Sequence, residues 1–341
     1  MILREGLASV AVRGLRDSDE HRAIEAFELF RHSAATAQMR AMAADAAGSS
    51  VLGALEESGI NSTVVKGPAV ARFHPESWPR TYVDIDVVVT SVTFEAAAKV
   101  VESLGYAFSD RSVPQREWFN RICREGVNLH SPQGGNIDLH HHVSPWALAR
   151  RLTAADLIAR SETIVWCGRS VRMASAGDLL LVSALHVLND LWKAKAGLNS
   201  WRDIVALIEL LGPDGARQSF AQVGLTGLYD VMASHLAVSA PALGLEPARY
   251  LELTTSERFQ LASLGWTPAH WATSLRLAWA ARLPPLNAVA YLAGTAVPSR
   301  EYITERHETY RRYWGTALKE MWATTRGSDY RMVTVEGERD S

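Results

Sequence analysis

The spacing of apolar residues changes its period along the chain, and that change predicts the elements. From Ser18 to Leu55 the residues are mainly Ala, Leu, Met, Glu and Arg. Ile24, Phe27, Leu29 and Phe30 follow a Ser18-Asp19 cap in helical rhythm, which predicts a long helix ended by Gly59. The β-branched run Ser62-Thr63-Val64-Val65 reads as a buried strand that stops at Lys66-Gly67-Pro68. Proline at a first helical position predicts a short helix over Pro68 to Arg72. The clearest strand is Thr81 to Thr90, TYVDIDVVVT, followed by a helix from Thr93 to Leu104 closed by Gly105. Gly126 to His130 and Asn136 to His142 read as two more strands, joined tightly through Gln133-Gly134-Gly135.

Past residue 150 the pattern shifts. A strand pair is expected near Thr163–Cys167 and Ser170–Met173. Beyond Ala174 the period is helical over Gly177 to Lys193, Trp201 to Leu211, Leu228 to Ser239, Thr273 to Ala281 and Tyr302 to Thr324. Eight of the eleven tryptophans lie from position 166 onward, which fits bulk for helix packing better than a stacking platform. A mixed α/β part thus precedes a helical part, with the change near residues 145–175.

Composition narrows the class. The chain has 341 residues, 48% hydrophobic and 21% charged, enough to bury a core. Its formal net charge of −2 lacks the basic footprint of a dedicated nucleic-acid binder. Two cysteines, Cys123 and Cys167, cannot form a disulfide framework or a zinc site by themselves. Charges within the first residues interrupt any signal-peptide core, and Arg282 with Pro284-Pro285 breaks the most apolar late stretch. A cytoplasmic protein without a membrane span is expected.

Candidate chemistry centres on Asp84-Ile85-Asp86. Side chains alternate faces in a strand, so Asp84 and Asp86 share one face and Ile85, Val87 and Val89 the other. Two same-face carboxylates repel unless a cation offsets them, and oxygen ligands suit Mg²⁺ or Mn²⁺. Solvation on an edge strand is the plain alternative. Asn136-Ile137-Asp138-Leu139-His140 alternates in the same way. If the two strands are neighbours, Asp138 adds a third acid to the patch. Three convergent acids are the arrangement of two-metal phosphoryl and nucleotidyl transfer. Lys66-Gly67 at a strand-to-helix junction, with Arg80 four residues before Asp84, supplies cations and close backbone approach for a triphosphate. His140 shares the acidic face, as a substrate contact or as a structural histidine. His186 lies with Asp190 and Lys193 on a polar helix stripe that either roofs the site or is solvated, and Asp203 is read as the partner of a buried histidine. No Gly-x-Ser-x-Gly, Gly-x-Gly-x-x-Gly or Walker-type loop is present, so hydrolase, dinucleotide and P-loop readings lack support.

Taken in order, Val64-Val65-Lys66-Gly67, Arg80, Asp84-Ile85-Asp86-Val87-Val88-Val89, Gly105-Tyr106 and Ile137-Asp138-Leu139-His140 resemble the uncharacterised nucleotidyltransferase family of the polymerase-β-like superfamily. Asp178 to His186 and Trp201-Arg202-Asp203-Ile204 extend the resemblance, which covers about Gly59 to Ile208 with a looser echo over Pro298 to Trp314. Superfamily members often carry Gly-Ser where this chain has Lys66-Gly67, and His141 stands where the family has a large, often aromatic residue.

The resemblance implies an α+β fold: a minimal mixed sheet flanked by helices, then a mostly helical C-terminal domain. The expected division is N-terminal helices over 1–60, the α/β core over 61–150, a helical domain shaping the acceptor side over 151–330 and a tail over 331–341. The resemblance implies Asp84, Asp86 and Asp138 as metal ligands; the residues themselves place Lys66, Gly67 and Arg80 on the nucleotide and leave His140 and His186 as possible substrate contacts. The implied activity is metal-dependent transfer of a nucleoside monophosphate from an NTP such as ATP to a small-molecule or peptide acceptor, releasing pyrophosphate. A toxin-like transferase acting on tRNA and a catalytically silent nucleotide- or partner-binding protein are the alternatives.

Overall fold

The computed structural model describes residues 21–75, 79–108, 125–131, 134–143, 151–192, 198–226, 229, 232, 285–297, 300, 303–304 and 309–315. The chain groups into two compact units, Met1–Arg111 with Arg121–Leu261, and Ser112–Asn120 with Ala262–Ser341. The first holds a mixed seven-stranded sheet.

Helix α1 (His21–Glu57) leads into β1 (Ser62–Val64), the single turn α2 (Pro68–Ala71), β2 (Asp84–Val89) and α3 (Phe94–Ser103). Then follow β3 (Ala107–Phe108), β4 (Gly126–His130), β5 (Asn136–His140), α4 (Ala154–Arg160), β6 (Glu162–Trp166) and β7 (Arg169–Met173). Helices α5 (Ala176–Trp192) and α6 (Leu198–Gln222) complete the described elements of this unit, and α7 (Pro285–Ala296) belongs to the second. The strand order is β3-β4-β5-β2-β1-β7-β6, with β2 parallel to β5, β1 parallel to β7 and the other pairs antiparallel.

Strand β2 runs through the middle of the sheet. Ile85, Val87 and Val89, together with Ile137 and Leu139 of β5, are fully buried on the face opposite the acids. Helix α1 covers that face. Ala44, Ala47, Val51, Leu52 and Leu55 recur at helical spacing and are buried, while Leu29, Met39 and Met42 are exposed. Gly48 lets the helix approach closely, because a Cβ there would overlap the Ile85 side chain and the Trp166 ring. Helices α5 and α6 pack on each other, burying Leu179, Leu180, Val182, Ile204 and Leu207.

The element boundaries depart from the sequence pattern where tertiary contacts decide them. The β2 ladder begins at Asp84 rather than Thr81, and Val83 is exposed. The strand pair expected near 163–173 forms as β6 and β7, and it joins the same sheet through β1 rather than standing apart. Helix α6 continues beyond Leu211 across a kink at Gly212-Pro213, where Gly212 takes φ 68°. The short elements β3 and α4 have no counterpart in the sequence reading. Neither does α7, which starts at a proline that reads only as a breaker. The Ser18-Asp19 cap, Gln133, Cys123, Lys193, the 273–281 helix and most of the 228–239 and 302–324 helices lie outside the described residues. Among the described residues no helix is long and apolar enough to cross a membrane.

Candidate active site

The site grows out of strand register. Parallel pairing of β2 with β5 sets Asp84 opposite Asn136, Asp86 opposite Asp138 and Val88 opposite His140. Register partners on a pleated sheet point to the same side, so both aspartates of β2 share a face with Asp138 and His140. Asp86, Asp138 and His140 bring one ligand atom each within 4.8 Å of one another. Asp84 lies one pleat further along the same face and is not part of that three-residue cluster, although the charges of Asp84 and Asp86 act on each other.

Two side chains meet on one oxygen. Lys66 Nζ donates to Asp86 Oδ1 at 3.0 Å, and His140 Nε2 lies 3.1 Å from the same atom. Burial alone would push the Asp86 carboxyl up, but the Lys66 ammonium and the His140 hydrogen bond outweigh it and hold it well below the usual carboxylate range. Burial opposes the charge on Lys66 as well, and Asp86 more than offsets this, so its ammonium is held above the ordinary lysine value. Asp138 behaves in the opposite way. Burial, with Asp86 and Asp84 nearby, pushes its carboxyl up to about 6. Burial also raises Asp84, helped by Asp86.

Glycine shapes two approaches to this cluster. Gly67 has φ 50°, and a Cβ there would stand 3.1 Å from the Asp84 carbonyl oxygen. Gly126 of β4 is the register partner of His140, and a Cβ on it would collide with the Leu139 carbonyl and the His140 ring. His140 therefore lies over Gly126. The sequence signal for this is a glycine at the start of a strand, a mark of close backbone approach.

The amides expected of the strand-to-helix junction are partly spent. Pro68 has none, and the Ala69 and Ala71 N–H groups donate to the Lys66 and Gly67 carbonyls at 2.9 and 3.0 Å. Lys66 thus offers its ammonium, with two of three donors beyond Asp86, rather than heading a long helix.

Arg80 reaches Asp203 of α6 instead of standing alone. Its Nε donates to both Asp203 oxygens, at 2.7 and 2.8 Å, while Nη1 reaches the Thr81 carbonyl at 3.4 Å. The buried histidine partner of Asp203 is His74, with Nε2 2.9 Å from Oδ1. Burial raises the Asp203 carboxyl, but His74 and Arg80 together hold it below its ordinary value. His141 is buried on the far face, with ring stacking on Phe94 at 4.4 Å between centroids. His186 lies half-buried on α5 and is not part of the Asp86 cluster.

The donor set fits a hard divalent cation. The Asp138 carboxylate receives no hydrogen bond among the described residues, the cluster is dominated by carboxylate oxygen, and three acids share that face with Lys66 and His140.

The family model described as uncharacterised nucleotidyltransferase matches residues 1–226 of the chain. The chain belongs to that family. The nucleotidyltransferase match spans the whole sheet together with α5 and α6. Among solved structures it is similar to the solution structure of the antibiotic-resistance factor ANT(2'')-Ia, at 13% identity and TM-score 0.39, covering 56% of this chain and 95% of that one. It is also similar to an antigenic nucleotidyltransferase-like protein from Paracoccidioides brasiliensis, at 14% identity and TM-score 0.34, covering 61% of this chain and 93% of that one. None of the curated proteins compared with the chain matches it.

Proposed function

We propose that this nucleotidyltransferase moves a nucleoside monophosphate from an NTP to a small-molecule or peptide acceptor and releases pyrophosphate. The observation that carries the reading is the Asp86–Asp138 register pair, with His140 and Lys66 gathered on the same sheet face. A net charge of −2 favours a small acceptor over a polynucleotide.

Asp86 and Asp138 would hold Mg²⁺ or Mn²⁺, with Asp84 beside them. When bound, the ion supplies Lewis-acid stabilisation of charge on the phosphate oxygens. His140 keeps the Asp86 carboxylate oriented through its 3.1 Å contact. Lys66 spans Asp86 and a phosphate oxygen with its remaining donors, and Gly67 allows the nucleotide close to the backbone. Arg80 faces the triphosphate. An acceptor oxygen or nitrogen bonds to the α-phosphorus, the bond from that phosphorus to the bridging oxygen breaks, and that oxygen leaves with pyrophosphate. The acceptor proton passes to Asp138. The helices after residue 150 shape the acceptor side in this reading. Asp203 of α6, reaching back to Arg80, supports that role.

The test uses NTPs labelled at the α-phosphate, incubated with the protein, Mg²⁺ and a library of small metabolites and peptides. Label should move to an acceptor in step with pyrophosphate release, and both should vanish in Asp86→Asn. Binding of no NTP in Mg²⁺ or Mn²⁺ would overturn the reading.

A further inference from the structure

Arg80 is held sideways. Only its Nε–H engages the Asp203 carboxylate, spanning both oxygens at 2.7 and 2.8 Å, and one long contact of 3.4 Å ties Nη1 to Thr81. Nη2 donates to no group among the described residues. The forked end of the guanidinium, the part shaped to take two phosphate oxygens at once, is therefore held only by that one long contact to Thr81. The guanidinium as a whole is within electrostatic reach of the acidic face, since the charges of Asp86 and Asp84 both act on Arg80.

The carboxylate that grips it is fixed on every side. Asp203 is 4% exposed, lies within the regular α6 helix, and its Oδ1 also meets His74 Nε2 at 2.9 Å. The His74 side chain is only 3% exposed. His74 and Arg80 flank the segment that enters β2, so a single carboxylate from α6 ties both ends of that segment. With the Nε edge held by Asp203, the fork end keeps donors for a further acceptor, and the bonded edge sets the direction of the group.

We infer that Asp203 is a positioning residue that aims the Arg80 guanidinium at the triphosphate of the incoming nucleotide. The inference rests on the nucleotidyltransferase reading above. Asp203 touches no ligand in it and acts through Arg80 alone.

The experiment measures binding of ATP and inorganic tripolyphosphate, in Mg²⁺, to the full-length wild type, Asp203→Asn, Asp203→Glu, Arg80→Gln and the Arg80→Gln/Asp203→Asn double variant. Near-UV circular dichroism checks the fold of each. Arg80→Gln should weaken both ligands about tenfold, the loss of roughly one charge-assisted contact. Asp203→Asn should weaken them to a similar degree. Asp203→Glu, which restores the carboxylate, should recover part of the loss. The double variant should bind no worse than Arg80→Gln, because a residue acting only through Arg80 has nothing further to lose. In nitrogen-15 NMR spectra the Arg80 Nε–H signal, identified by its loss in Arg80→Gln, should shift on adding tripolyphosphate to wild type and not to Asp203→Asn. If Asp203→Asn does not fold, Asp203→Glu carries the test: weakened binding of both ligands alongside a displaced Arg80 Nε–H signal supports the positioning role, and a displaced signal with wild-type binding overturns it. Wild-type binding by a folded Asp203→Asn, or losses that add in the double variant, would overturn the positioning role and leave the nucleotide reading standing. Binding of neither ligand by wild type would overturn both.

Discussion

Asp86 and Asp138 face each other across the parallel β2–β5 ladder, yet their carboxyl groups are pushed in opposite directions. The difference lies in their partners. Asp86 has taken both the Lys66 ammonium and His140, and Asp138 has been left with burial and two neighbouring negative charges. Pairs of titratable groups separated in this way are a mark of functional sites.

Asp86→Asn should destabilise the metal-free protein. Relief of repulsion between Asp84 and Asp86, taken by itself, would give the reverse. The structure changes the sign, because neutralising Asp86 removes the counter-charge of Lys66. Removing one partner of a fully buried pair costs about 3–5 kcal/mol, and the 22% exposure of the Lys66 side chain brings the expectation here to roughly 2 kcal/mol. Chemical denaturation of both proteins in EDTA checks it.

Asp138→Asn should act the other way. The Asp138 carboxyl is raised from 3.8 to about 6 in the folded state, so that state holds the proton more tightly than the unfolded chain does. Stability from this group is therefore present at low pH, declines as pH rises from about 4 to 6, and is gone above that. Replacing the acid should remove this decline and stabilise the metal-free protein at pH 7.5 by about 1–2 kcal/mol. Melting curves from pH 4.5 to 8 for wild type and variant would show converging values at the acid end. A variant less stable at pH 7.5 would contradict the assignment.

Gly126→Ala should disturb the site from the neighbouring strand. Its methyl group would need the space of the Leu139 carbonyl and the His140 ring. Overpacking of this kind costs typically 1–3 kcal/mol, and His140 should lose its contact with Asp86. Imidazole NMR signals report this directly: the chemical shift of the His140 ring should change while that of His186, outside the cluster, does not.

The sequence carried the parts of the site that depend on local periodicity. Alternation in Asp84 to Val89 and in Asn136 to His140 was enough to assign faces, and β2 and β5 prove to be neighbours. Strand neighbourhood itself was not legible, since period two says which way a residue points but not what it pairs with. The same limit hid the junction of β7 with β1 and the link from Arg80 to Asp203 across 123 positions. His140, rather than Asp84, completes the tight three-residue cluster because register places it beside Asp86 at the level of Val88. The spacing of Lys66 to Asp86 likewise gave no hint that one carboxylate oxygen would meet both Lys66 and His140.

The central claim is that the β2–β5 face binds a divalent cation together with a nucleotide, and Mn²⁺ paramagnetic resonance tests it most directly. Free Mn²⁺ is titrated with the protein, alone and with ATP, and the bound fraction is read from the loss of the free-ion signal. The account predicts saturable binding at one or two ions per chain that strengthens with ATP. Asp86→Asn and Asp138→Asn should each weaken it by at least about tenfold, a lower bound set by what even the outer partners of metal sites contribute. Mn²⁺ binding in wild type that both variants retain unchanged, or no binding with or without ATP, would contradict it.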